Sequence, residues 1–314
     1  MTIGARRNTG PSKWIKGGTM EIKHVGVVGC GAMGSGIAQL VLKAGYTVTV
    51  REIDENFLAK GLGRITKGFE KLVEKGKISI EEKSTMLAHL SGTVSLADLS
   101  SCDLVIEAVF EEMSIKSELF KALDAVCKKE TVFATNTSSL AVSEIAASTS
   151  RSNKFVGLHF FNPATVMPLV EVIKTIVTPP GLLQTVLDFG RKLGKTPIIA
   201  KDNAGFIVNR FLTPFLMDAM RGVGDGVASV ADIDTAMKLG CNHPMGPLML
   251  SDFIGLDVLL RGSSRMFEEY GEKRYAPPPI LRRLVVMGFL GQKTGKGFYD
   301  WSDPRNPVPR DLGL

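Results

Sequence analysis

A short apolar run, Val25-Gly26-Val27-Val28, leads directly into Gly29-Cys30-Gly31-Ala32-Met33-Gly34, and a segment of helical period follows over residues 35–43. In that order the first two glycines allow a tight turn with the backbone against a pyrophosphate, and the third allows close helix packing. The phosphates would sit on the helix N-terminus, where unpaired N–H groups and the dipole favour negative charge. Six residues with three glycines are a weak signal alone, so the surroundings decide. A second strand, Thr47-Val48-Thr49-Val50, ends in Arg51-Glu52, and Glu52 lies eighteen residues past Gly34, where an acid is expected to hold the adenine ribose hydroxyls. Strand, helix and acid together read as a dinucleotide site built from Gly29, Gly31, Ala32, Met33, Gly34 and Glu52. A carboxylate at 52 would repel a 2′-phosphate and favours NAD over NADP. Arg51 works the other way if it faces the ribose, and is otherwise a solvated charge at the strand end.

From His24 onward, short runs rich in β-branched residues alternate with longer segments of helical period, which implies βαβ units around a parallel sheet. Strands are expected at 24–29, 47–52, 104–108, 132–135, 155–160, 169–174 and 196–200. The strand signals stop after Ala200. From Gly205 the period is helical, with further helices expected around 230–239 and 247–270. The expected organisation is a disordered tail over 1–20, a Rossmann-type doubly wound, mostly parallel α/β domain over 21–202, and a smaller all-helical domain over 203–314. The tail assignment rests on four glycines, a proline and no hydrophobic periodicity in the first nineteen residues; either Met1 or Met20 could be the native start.

The formal net charge is +6, but Arg6, Arg7, Lys13 and Lys16 carry four of those charges, which leaves +2 on the remainder. That argues against nucleic acid as a partner. Cys30, Cys102, Cys127 and Cys241 are far apart, so neither a disulfide scaffold nor a zinc site is expected, and no metal is assigned. No uncharged apolar run approaches the ~18 residues of a membrane span. The expected location is cytoplasmic, with the mitochondrial matrix as the alternative because the first residues are basic and acid-poor.

Four histidines are available as a general base. His24 and His89 suit surface roles, and His243 lies in a Pro/Gly turn. His159 ends the apolar run Phe155-Val156-Gly157-Leu158, at the edge where open α/β sheets place their ligands. A lone histidine there is more often a core residue, but Glu171 interrupts Leu169-Val170-Val172-Ile173 on the same face as Leu169 and Ile173. An ionised carboxylate in that position is costly unless paired. With His159 as its partner, Glu171 would hold one ring nitrogen and fix the tautomer, and the other nitrogen would take a proton. The alternative is an exposed acid on an edge strand.

Over residues 22–301 the chain resembles the L-3-hydroxyacyl-CoA dehydrogenases, including the 3-hydroxybutyryl-CoA type. The resemblance is carried by the glycine motif extended to Ala38, by Asn136-Thr137-Ser138-Ser139, by His159-Phe160-Phe161-Asn162-Pro163 and by Leu169-Val170-Glu171-Val172-Ile173. Gly205-Phe206-Ile207-Val208-Asn209-Arg210, Pro244-Met245-Gly246-Pro247 and Lys293-Thr294-Gly295-Lys296-Gly297-Phe298-Tyr299 extend it. The resemblance implies an oxidoreductase that uses NAD on an acyl-CoA substrate, with His159 as the base oriented by Glu171. It assigns Ser138 and Asn209 to the substrate oxygen, and Glu111, Lys116 and Asn136 to the cofactor. Ser138 could instead cap a helix beginning near Leu140, Asn209 could be a solvated helix residue, and Glu111 and Lys116 could be scattered charge at a helix start. It also implies a homodimer through the helical domain. One departure is Glu52, where the family usually carries aspartate, so the grip on the ribose differs in reach. Lys67, Lys71 and Lys75 are candidates for the CoA phosphates. Two other readings remain: a dehydrogenase of a free 3-hydroxy acid on the same fold, and a non-catalytic, crystallin-like relative.

Overall fold

A computed structural model describes residues 20–312, so the tail assigned to the first residues lies outside the described ones apart from Met20. The chain divides into two compact units between Asp202 and Asn203.

In the first unit, strands and helices alternate: β1 (His24–Val28), α1 (Ala32–Lys43), β2 (Thr47–Arg51), α2 (Glu55–Glu74), α3 (Ile80–Ala88), β3 (Leu90–Thr93), β4 (Leu104–Glu107), α4 (Met113–Val126) and β5 (Val132–Thr135). They are followed by α5 (Val142–Ala147), β6 (Phe155–Phe160), β7 (Leu169–Lys174), α6 (Pro180–Lys192) and β8 (Thr196–Lys201). The strands form one sheet in the order β3-β2-β1-β4-β5-β6-β7-β8. Every neighbouring pair is parallel except β6 and β7. The order reverses between β1 and β4, which opens a crevice at their carboxyl ends.

Strands β1, β4, β5 and β6 are buried along almost their whole length, as expected for a sheet covered on both faces. α2 shows how a helix closes the core. Leu58, Ile65 and Phe69 are buried at helical spacing while Lys60, Lys67 and Lys71 stay exposed. Each such side chain contributes about 1.5–3 kcal/mol by leaving water. Asp54 caps this helix by accepting the Phe57 N–H at 2.8 Å.

α3 ends at His89, where a helix end is expected from the sequence, and the structure adds β3 after it. β3 has only Leu90 as a large apolar residue in Leu90-Ser91-Gly92-Thr93, yet it pairs along its length with β2.

The second unit holds α7 (Val208–Gly224), α8 (Val230–Gly240), α9 (Pro247–Ile254), α10 (Leu256–Tyr270), α11 (Pro279–Val286) and a two-stranded ribbon, β9 (Tyr299–Asp300) with β10 (Val308–Pro309). The helix expected over 247–270 is two helices, because Gly255 adopts φ +102°, a left-handed conformation that ends α9. The ribbon also corrects the all-helical expectation. Buried Asp252 holds it to the helices by accepting the N–H groups of Phe298 (2.9 Å), Tyr299 (2.8 Å) and the Trp301 indole (2.9 Å). Burial pushes the Asp252 carboxyl above its ordinary value and nearby Asp234 adds to this, against the opposing pull of those donors.

Candidate active site

The glycine loop leaves β1 with Gly29 at φ +86°, where a side chain would press on the Ala108 backbone. A Cβ on Gly34 would overlap the Gly29 carbonyl oxygen, so the helix can start this close to the strand only with glycine there. At Gly31 an added Cβ would meet no heavy atom within 4 Å, and α1 starts with no side-chain cap and no acid in its first turn. Ala32, Met33 and Gly34 occupy that first turn, so their N–H groups are disposed toward an anion. These features fit a dinucleotide phosphate. Glu52 follows β2 at the same edge. Its Oε1 accepts the Cys30 N–H at 2.5 Å and its Oε2 accepts the Ile53 N–H at 3.1 Å, which fixes the carboxylate beside the loop. Arg51 turns the other way, its Nε donating to the Val94 carbonyl at 3.2 Å.

Beyond β5, Asn136 uses its side-chain oxygen to accept the Phe160 N–H at 2.9 Å, tying the ends of β5 and β6 together. Ser138 caps no helix: α5 starts at Val142, and the N–H groups of Val142 and Ser143 are accepted by Asp202 at 2.8 and 2.6 Å. Ser138 instead belongs to a turn wrapped around one carboxylate oxygen. Glu111 Oε1 accepts the N–H groups of Ser138 and Ser139, both at 2.9 Å, and the Thr137 hydroxyl at 2.5 Å. Although burial would raise the Glu111 carboxyl, Lys116 and these donors outweigh it and hold the group below its ordinary value.

Lys116 is only 1% exposed, so the alternative of scattered surface charge fails for it. Its ammonium lies 2.5 Å from Glu107 Oε1 and 3.3 Å from Glu111 Oε2. Glu107, fully buried at the end of β4, was not among the residues singled out from sequence. An acid closing the apolar run Leu104-Val105-Ile106 was the available signal.

His159 and Glu171 face each other as register partners on the antiparallel strands β6 and β7. His159 Nδ1 lies 2.6 Å from Glu171 Oε2, with His159 5% and Glu171 0% exposed. β7 lies between β6 and β8, so the exposed-edge reading of Glu171 does not hold. The Phe161 ring packs against the imidazole with centroids 4.6 Å apart. The other histidines are placed differently. His89 is exposed at the end of α3 and His243 packs edge-on to Phe215. His24, expected at the surface, is half-buried, with Nε2 2.8 Å from the Thr49 hydroxyl. Asn209 stands half-buried in the first turn of α7, within the second unit.

Among the described residues no group of three or more His, Cys, Asp or Glu side chains is disposed to hold a metal ion, and no helix is long and apolar enough to cross a membrane.

The chain matches two consecutive family models: "3-hydroxyacyl-CoA dehydrogenase, NAD binding domain" over residues 24–203, and "3-hydroxyacyl-CoA dehydrogenase, C-terminal domain" over residues 205–301. It is 45% identical to a 3-hydroxybutyryl-CoA dehydrogenase of Clostridioides difficile over 276 residues, 88% of this chain and 98% of the relative. To the human mitochondrial hydroxyacyl-coenzyme A dehydrogenase it is 43% identical, over 89% of this chain and 91% of that protein. The crystal structure of (S)-3-hydroxybutyryl-CoA dehydrogenase from Ralstonia eutropha superimposes with a TM-score of 0.88 at 40% identity, covering 90% of this chain and all of that one. With a glycine loop shaped for phosphate, an acid fixed beside it and both domain models matched in sequence order, the chain belongs to the 3-hydroxyacyl-CoA dehydrogenase family.

Proposed function

We propose that the protein oxidises L-3-hydroxyacyl-CoA to 3-ketoacyl-CoA with NAD, and runs the reverse reduction, with short-chain 3-hydroxybutyryl-CoA as the favoured substrate. The observation that carries this reading is the 2.6 Å contact between His159 and Glu171 at the carboxyl edge of an NAD-binding sheet. Bound NAD supplies the hydride acceptor. The backbone of Gly29, Gly31, Ala32, Met33 and Gly34 would hold its phosphates and Glu52 its adenine ribose, and Glu111, Lys116 and Asn136 would serve its nicotinamide end.

In oxidation His159 removes the proton of the 3-hydroxyl as the C3 hydride departs. With Nδ1 committed to Glu171, the nitrogen that exchanges this proton is Nε2, and the carboxylate stabilises the imidazolium that forms. In reduction the protonated ring returns the proton to the developing alkoxide. Ser138 and Asn209 are assigned to the substrate oxygen. Lys60, Arg64 and Lys67 recur at helical spacing along α2 and support phosphate binding there by CoA. Lys71 and Lys75, the other two candidates, lie exposed at the end of the same helix beside Glu70 and Glu74.

Exposed Phe211, Leu239, Phe253, Val286 and Met287 in the second unit support a homodimer. The proposed location is cytoplasmic, in keeping with four free cysteines of which three are buried.

The test is NADH oxidation, followed optically, with acetoacetyl-CoA and separately with free acetoacetate. Turnover of the thioester alone is expected. Equal turnover of the free acid would assign the protein to the free 3-hydroxy acids instead, and no turnover of either would leave the crystallin-like reading.

A further inference from the structure

The ion chain behind the Ser138 turn has a member with no role in the mechanism above. Glu107 is fully buried and its oxygens are taken up: Oε1 accepts the Val109 N–H at 2.7 Å as well as the Lys116 ammonium, and Oε2 accepts the Thr135 hydroxyl at 2.7 Å. The Thr135 oxygen in turn accepts the Thr137 N–H at 3.3 Å. Lys116 thus stands between two carboxylates, close to buried Glu107 and farther from Glu111, whose other oxygen holds the turn.

We infer that Glu107 is a positioning residue: by anchoring Lys116 it lets that ammonium hold Glu111 without drawing it off the N–H groups of Ser138 and Ser139. The inference rests on the roles proposed above for Ser138, Glu111 and Lys116. Lys116 has almost no access to water, so its charge must be balanced by protein groups. With the Glu107 charge removed, Glu111 is the one carboxylate of the pair left to Lys116, and the 3.3 Å separation would close. Glu111 reaches the turn and Lys116 through opposite oxygens of one carboxylate, so it cannot follow Lys116 without moving Ser138. The Thr135 hydroxyl fixes Glu107 to the strand that leads into the same turn. A charge buried at the end of β4 therefore acts on the proposed substrate-oxygen site through two intermediate groups.

The test uses the full chain with Glu107→Gln, Lys116→Met, the double variant, Thr135→Val and Thr135→Ser. Two quantities are read: the NADH dissociation constant from cofactor fluorescence, and kcat with acetoacetyl-CoA. A misplaced site costs up to about 100-fold in rate, so Glu107→Gln is expected to lower kcat by about 10- to 100-fold and to weaken NADH binding. The double variant should be no worse than Lys116→Met alone, because Glu107 acts only through Lys116. Losses that multiply in the double variant, or a folded Glu107→Gln protein with wild-type kcat and NADH affinity, would overturn the inference. Should Glu107→Gln fail to fold, the threonine pair decides. Thr135→Val should lose kcat and NADH affinity while Thr135→Ser, which keeps the hydroxyl, retains both; equal behaviour of the two overturns the inference. If the wild-type chain does not reduce acetoacetyl-CoA, the proposed function fails, and the NADH dissociation constants of the same variants still decide the role of Glu107.

Discussion

His159 and Glu171 are cross-strand partners on the one antiparallel pair of the sheet, and 2.6 Å separates Nδ1 of the ring from Oε2 of the acid. Antiparallel pairing sets directly opposed side chains on the same face within reach of each other. The dyad is thus a property of strand register as much as of the two residues, and a one-residue slip would send Glu171 to the opposite face.

The cofactor preference follows from Glu52. Its carboxylate is held beside the glycine loop by the Cys30 and Ile53 N–H groups, while Arg51 is engaged with the Val94 carbonyl. NADH is expected to give the higher kcat/KM, since a fixed carboxylate repels a 2′-phosphate. Initial rates with both cofactors check it; an equal or higher value with NADPH would mean that Arg51 leaves its carbonyl to govern the site.

Much of this was legible in the sequence. The glycine loop, the acid after β2 and the histidine with its acid are local or period-two features, and each lies where it was expected. The direction of β7 was less so. A parallel neighbour needs a crossover of a dozen or more residues, whereas only residues 161–168 separate β6 from β7, which itself implies antiparallel pairing. β3 was hidden because Ser91, Gly92 and Thr93 give no apolar alternation. The break at Gly255 was masked by apolar residues on both sides of it. Glu107 is hard to read from sequence because its partner Lys116 sits on the following helix, at a spacing set by the turn between strand and helix and not by any period.

Packing of α4 on the sheet gives a stability prediction. The Phe120 ring lies 4.6 Å from that of Phe155 and 5.5 Å from that of Phe133, all three fully buried. Phe120→Ala should cost about 3–5 kcal/mol, read as a lower denaturant midpoint. A midpoint unchanged from wild type would show that the neighbouring rings close the space.

Acid should act on the first unit through Asp103. Burial would raise its carboxyl, but the Lys128 ammonium at 2.6 Å and the N–H groups of His24 and Lys23 outweigh this and hold it below the ordinary 3.8. A depressed folded value means that the ionised group adds stability above about pH 3.8, and that this contribution disappears as pH falls through the folded value. The difference in Tm between wild type and Asp103→Asn should therefore be full at neutral pH and shrink below pH 3.8. A difference that stays constant through that range would show that the charge contributes nothing.

The central claim, that His159 and Glu171 act as one proton-transfer unit, is tested most directly by kcat for acetoacetyl-CoA reduction in His159→Gln, Glu171→Gln and the double variant. General acid–base catalysis is worth about 10²–10⁴ in rate, so His159→Gln should lose that much while NADH binding is retained. Glu171→Gln should also be severe, and the double variant should be hardly worse than the more damaged single one, as for groups that work together. A double variant whose loss is the product of the two single losses, or a His159→Gln protein with near wild-type kcat, would contradict the account.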